Sequence, residues 1–325
     1  MSAISLSRWF LACCAGMLLG QTSLHAASGE PHAVFRGIAH DMLYDLSLEG
    51  HNGVAVGDSG LIVETADGGL TWTRQAKTGT SLGLFGVVRK QGHCIATGQN
   101  GLIMSAVDCK QWTIAAPVTK ARILSVAVNG AGTAYAVGGF GTLLKSTDWG
   151  KTWQKIGIDW TPFTSEGAEP HLYGVHVAEG GEVTLCGEFE LILRSKDGGS
   201  SWQALRKGKR SLFGMSILAN GEVYAVGQEG MILKSSDNGA IWHEQESGTQ
   251  SILTGIWALP DGRVFASGIY TILASADGGK TWQMDGSRPA RQGWHQAVTG
   301  SGEKLQGQQN ILVVGSGGAI LMVQR

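Results

Sequence analysis

What most limits the folds open to this chain is an eight-residue pattern that keeps returning. Ser/Thr-x-Asp-x-Gly-x-Thr-Trp is complete at residues 65–72, 146–153 and 275–282. Copies at 195–202 and 235–242 keep the Asp, Gly and Trp but carry Ser201 and Ile241 where the Thr belongs. A sixth, at 105–112, keeps only the Ser-to-Trp spacing: its aspartate has slipped to Asp108, and Cys109-Lys110 stands in the glycine region. Each copy reads as a tight turn between two strands. The carboxylates of Asp67, Asp148, Asp197, Asp237 and Asp277 can accept bonds from backbone N–H groups just downstream, and glycine takes the positive-φ position without steric cost. Trp72, Trp153, Trp202, Trp242 and Trp282 then open the next strand and lay a large apolar face on the sheet, so they are expected to be buried and structural.

A second repeat runs in step with the first. Gly57, Gly98, Gly138, Gly187, Gly227, Gly268 and Gly315 each close a short apolar strand such as Val54-Ala55-Val56. Upstream of each lies a partner strand, such as Leu84-Phe85-Gly86-Val87; downstream come a third strand, the Asp turn and the Trp strand. Four short strands per repeat of about forty residues is the spacing of a propeller blade. The expected fold is all-β: a seven-bladed β-propeller with four-stranded antiparallel blades, a linear solenoid being the alternative. The seventh repeat stops after its third strand, at residues 319–323, and Ala33-Val34-Phe35-Arg36 can supply the fourth. Joining both ends of the chain in one blade closes the ring and removes two open sheet edges.

Charge and the first residues bound the setting. Among 325 residues only 16% are charged and the formal net charge is −1, so no bulk attraction to nucleic acid is expected. Residues 1–26 read as a signal peptide, with Arg8 as its one charge, an apolar core at 9–19 and small residues at the cleavage site. The apolar run is short for a membrane span; an uncleaved anchor is the alternative. The expectation is an exported, monomeric chain of one domain, 27–325, without a membrane span. Cys94, Cys109 and Cys186 remain, an odd number. Cys186 sits in an apolar strand and reads as a buried thiol. Cys94 starts the strand that ends at Gly98; after the hairpin, pairing brings it opposite the stretch near Ser105, close to Cys109. The two form either a disulfide, in place of the broken turn in that blade, or two free thiols. No metal-ligand spacing occurs, and no cofactor is expected.

The Asp turns are Asp-box (BNR) motifs. Coupled seven times to a Val-Gly-x-x-Gly strand pair, they resemble the photosystem II assembly/stability factor family over essentially the whole mature chain. That resemblance implies a propeller acting as an assembly or accessory factor for a membrane protein or envelope complex, an exporter of the resistance-nodulation-division type among the candidates. It also implies the periplasm, or the thylakoid lumen if the source is phototrophic.

Propeller geometry places the Gly-x-x-Gly turns and the loops between blades on one face, and the Asp boxes on the other. The first face carries Lys120, Arg122, Arg288, Arg291 and the run Arg206-Lys207-Gly208-Lys209-Arg210, a candidate docking sector with the same character as a basic patch thought to dock a partner in phototroph members of the family. Phe140, Phe189 and Tyr270 lie in the turns of that face and suit a protein contact, with packing on a neighbouring blade as the alternative. The competing class is a glycan-binding or sialidase-like enzyme, for which Glu188 and Glu190 would form the acidic pair. No arginine triad or activated tyrosine assembles around them. Residues 79–83 match a hydrolase elbow but have no helix after them, and His171 and His176 fall on opposite faces of a strand. No catalytic residue is assigned.

Overall fold

The computed structural model describes residues 30–301 and 309–324. Residues 1–26, expected as a signal, lie outside that range, as do Cys13 and Cys14. Among the described residues, 28 strands form seven four-stranded antiparallel sheets. In blade 1 the order outward from the axis is Leu43–Glu49, Asn52–Gly57, Ile62–Thr65 and Thr73–Arg74. The next five blades repeat it, with inner strands Leu84–Lys90, Ile123–Val128, Leu172–Val177, Leu212–Ile217 and Leu253–Ala258. Blade 7 has His295–Gly300, Ile311–Gly315 and Ile320–Gln324, and its outer strand is His32–Phe35 from the other end of the chain. His32 pairs with Met322 and Ala33 with Leu321, closing the ring.

The second strand of a blade is packed on both sides, which explains its apolar run. From Ala134 to Gly138, and in the equivalent strands ending at Gly187, Gly227, Gly268 and Gly315, every residue is buried. The core is a set of interblade layers rather than one central mass. Val54, Val56 and Ile62 of blade 1 pack with Leu84, Cys94, Ala96 and Met104 of blade 2, and such layers recur around the ring. At about 25 cal/mol per Å² of apolar surface, these layers supply the main favourable term of folding.

The recurring glycine has a single cause. A Cβ on Gly57 would lie 2.0 Å from the Met42 carbonyl oxygen, and one on Gly138 would lie 1.9 Å from that of Arg122. The same clash recurs at the other five positions. The residue is extended there (φ −162° at Gly57, counted as the cap of the following turn), so close approach of the inner strand, not left-handed backbone, excludes a side chain. Two features were not expected. A short helix, Arg288–Gln292, occupies the loop into blade 7, and the tight turns after several of the glycines are single turns of 3-10 helix.

Candidate functional site

Each Asp box is a closed hydrogen-bond unit. In blade 3, the Ser146 hydroxyl donates to Asp148 Oδ1 (2.7 Å) and accepts from the Gly150 N–H (3.0 Å). The Thr152 N–H and hydroxyl donate to the two Asp148 oxygens (3.0 and 2.6 Å), and Trp153 Nε1 donates to the Gly150 carbonyl (2.9 Å). Desolvation pushes Asp148 up, but these donors outweigh it and bring the carboxyl down to about 2. Asp197 and Asp277 also lie at about 2, led by the hydroxyls of Ser201 and Thr281; Asp67 and Asp237 are lowered as well. With both oxygens of Asp67, Asp148, Asp197 and Asp277 engaged in their own turns, these four have no chemistry to offer a ligand. Trp72 and Trp153 are 8% exposed. Trp202, Trp242 and Trp282 are partly buried, each packed on a core layer. They sit at the start of the outer strand, where Trp242 packs in the layer of Leu205 and Trp282 in that of Tyr224.

In blade 2, where the box is broken, Asp108 and Cys109 take the left-handed φ values (51° and 56°) held in the other copies by glycines and, in two of them, by Trp149 (φ 63°) and Asn238 (φ 58°). A disulfide joins Cys94 to Cys109 with a Cα–Cα distance of 5.3 Å. Arg89 Nη1 lies 3.7 and 3.5 Å from the two sulfurs. Cys186 is a buried free cysteine whose thiol burial pushes up to about 12.

The opposite face, made by the Gly-x-x-Gly turns, is built differently. The third residue of each turn is left-handed, and in three blades it is an aromatic: Phe140 (φ 54°), Phe189 (φ 62°) and Tyr270 (φ 57°). Bulky side chains rarely adopt that conformation, and it costs of order 1–3 kcal/mol. Packing does not repay the cost, because Phe140, Phe189 and Tyr270 are 66%, 40% and 53% exposed. Phe140 touches the edge of His171 (centroids 4.9 Å), and its N–H donates to His171 Nδ1 (3.2 Å).

Inside this ring of turns the inner strands share a second irregularity. In all seven blades the second residue of the strand has no partner on the next strand, a β-bulge. A bulge re-aims a side chain; here it sets Tyr44, Phe85, Tyr173 and Phe213 around the mouth of the central channel, where they line a cavity of about 660 Å³. The rings touch in two arcs: Tyr44 meets Phe85 (5.1 Å), and Tyr173 meets Phe213 (4.9 Å) and His171 (6.3 Å). Tyr44 donates to Asp58 (3.1 Å), and burial together with that carboxylate pushes the phenol up to about 12. The sequence reading passed over these four aromatics. The signal was there, an aromatic following the leucine that opens four inner strands, but the bulge that turns them inward has no residue signature.

The basic sector is not one free patch. Arg206 and Arg210 both bond Glu190 (2.5 and 3.2 Å), and Arg210 also grips Glu244 (2.7 Å). Lys207 Nζ donates to the Pro162 carbonyl (3.2 Å), while Lys209 is exposed. Lys120 and Arg291 are exposed. Arg122 lines the central cavity, whereas Arg288 lines a separate cleft of about 560 Å³ with Arg36. The named bases therefore share a face but do not converge on one pocket. The Arg206 and Arg210 bonds also correct the glycosidase pairing. Desolvation pushes Glu190 up, but the two arginines outweigh it and hold the carboxyl below its usual range. Glu188 accepts the His171 N–H (2.8 Å).

The sequence profile of Photosynthesis system II assembly factor YCF48 matches residues 104–210. YCF48 bound to D1 peptide superimposes with a TM-score of 0.72 over 92% of this chain and 96% of that one, at 18% identity. Over residues 104–210 of its sequence, and in its fold, this chain is similar to YCF48. YCF48 from Cyanidioschyzon merolae gives a TM-score of 0.70 over 91% of this chain and 99% of that chain, at 18% identity. The GH74 xyloglucanase from Xanthomonas campestris gives 0.69 over 91% and 53%, at 14% identity. At these identities the likeness to YCF48 and to the xyloglucanase is one of fold, and fold does not carry activity. No curated protein sequence matches.

Proposed function

We propose that this protein is an exported, non-catalytic assembly or accessory factor whose Gly-x-x-Gly face docks a membrane-protein partner. The observation that carries the reading is the concentration of unrepaid cost on one face. Three exposed aromatics there hold left-handed backbone, and seven bulges surround a half-exposed aromatic mouth. Strain and exposed aromatic surface that return nothing to the fold are what a binding face contains before its partner arrives. On the Asp-box face the left-handed Trp149 (φ 63°) stacks on His93 (4.1 Å), and the polar groups are spent on their own turns. The likeness to YCF48, known with a D1 peptide bound, supports a peptide segment as the element recognised.

A photo-crosslinking benzoylphenylalanine placed at Phe140 or Tyr270, and as a control at Lys280 beside an Asp box, tests this in the native envelope. The expected result is an adduct with an integral membrane protein from the first two sites and none from the third. Adducts with soluble proteins alone, or equal yields from Lys280, would overturn it.

A further inference from the structure

The central cavity carries more than aromatic walls. One residue beyond each bulge, the inner strands present Gly86, Ser125, Gly174, Gly214, Gly255 and Ala297 in six blades. These small residues let neighbouring inner strands approach closely; a Cβ on Gly255 would lie 3.0 Å from Ala297 Cα. In the seventh blade-equivalent place, in blade 1, stands Asp45. One further along, aliphatic side chains such as Leu46, Val126, Val175 and Met215 form a collar in the same cavity. The shape is a bowl with an aromatic rim, an apolar collar and a single carboxylate between them.

Among the described residues, no cation is paired with that carboxylate. Asp45 Oδ1 accepts the Leu46 N–H (2.8 Å) and Oδ2 the Val87 N–H (2.9 Å). The residue keeps a partly open side toward the channel, yet it lies deep enough among the strands for desolvation to raise its carboxyl to about 7. The strands packed against it offer no counter-charge. Arg89 bonds Glu49 and Asp108, Lys90 bonds Glu179, and the His295 ring bonds the Ala290 carbonyl. Two further acceptors stand at the rim, Asp58 and Glu188. Among the described residues, the other charged side chain lining the cavity is Arg122.

We propose that the bowl is an anchor pocket for one cationic side chain, lysine or arginine, projecting from an otherwise apolar segment of the partner, with Asp45 as its counter-charge. The inference rests on the reading that this face docks a protein and adds the chemistry of what it holds. A charge withdrawn from water is costly unless paired, and a ligand cation supplies the missing pair. Ring faces of Tyr44, Phe85, Tyr173 and Phe213 attract a cation electrostatically, and the collar covers its methylene stem. Arg122 is the opposing element: its charge at the rim repels the ligand, so removing it should tighten binding. An anionic ligand would need it.

The test is calorimetric titration of the purified protein with Ac-Ala-Leu-Lys-Leu-Ala-amide and with the same peptide carrying norleucine or glutamate in place of lysine. The lysine peptide is expected to bind about tenfold tighter than the other two. Asp45→Asn should erase that preference, Phe213→Ala should weaken the lysine and norleucine peptides together, and Arg122→Ala should strengthen the lysine peptide severalfold. The preference should also fade as pH falls through about 7, because protonated Asp45 offers no charge. If Asp45→Asn fails to show a cooperative melt, the Arg122→Ala and Phe213→Ala titrations decide. Preference for glutamate, loss of lysine-peptide binding in Arg122→Ala, or no binding of any peptide would overturn the proposal. Any of these alongside membrane-protein adducts at Phe140 would remove the cationic anchor and leave the docking face standing.

Discussion

At the scale of single residues, the Asp boxes show how much turn stability one hydroxyl carries. Thr71, Thr152, Ser201 and Thr281 each donate a hydroxyl to the second aspartate oxygen. Ile241 stands in that place in blade 5 and gives Asp237 only its backbone N–H (2.9 Å), while its side chain is 59% exposed. Ile241→Thr should therefore restore the missing bond and remove an exposed apolar group. A Tm increase of roughly 1–2 °C in a thermal melt is expected; an unchanged or lower Tm would show that the hydroxyl adds nothing there. These side chains were legible in the sequence because each acts within its own turn, on neighbours two to four residues away. Asp45 was not. Its meaning depends on six small residues in other blades, up to 252 positions distant (297 − 45 = 252), and nothing local distinguishes it from a surface aspartate.

At the scale of the element, blade 2 replaces one kind of tie with another. The strand His93–Gly98 pairs Cys94 with Ala106, three residues before Cys109, so hairpin counting alone was enough to bring the two sulfurs near each other. The bond closes a loop with a sequence separation of 15, which limits its contribution to about 3 kcal/mol. Reductant should lower the denaturant midpoint of the native protein, and Cys109→Ser should start at the lower midpoint and ignore reductant. Equal midpoints with and without reductant would mean that the bond adds no stability. The bulges teach the opposite lesson. Propeller strands announce themselves by apolar pattern and glycine, but a bulge shifts the pleat by one residue without changing composition. Phe85 and Tyr173 thus read as ordinary strand residues until the pairing is seen. The ion pairs of the interloop bases were hidden for a related reason. Position in a loop fixes which face a charge is on, whereas Glu190 and Glu244, which tie up Arg206 and Arg210, come from other turns and strands.

At the scale of the whole molecule, closure depends on four residues. His32–Phe35 covers the edge of Ile320–Gln324 and packs Val34 and Phe35 against a layer containing Leu312, Val314 and Met322. A chain lacking residues 30–36 should keep six complete blades but expose a strand edge and the apolar side chains behind it. Loss of several degrees in Tm and concentration-dependent association on size-exclusion chromatography are expected; a monomer of unchanged Tm would show that the seventh blade is stable with three strands. The pairing also sets an order of events in biosynthesis. His32–Phe35 is made almost 290 residues before its partner, Ile320–Gln324 (320 − 35 = 285). Blades 1 to 6 can form as they emerge, each from contiguous sequence, while the first strand waits unpaired. Joining ends so far apart carries the largest loop-closure cost in the fold and belongs to its last step. A nascent chain therefore stays an open arc until Ile320–Gln324 has been made.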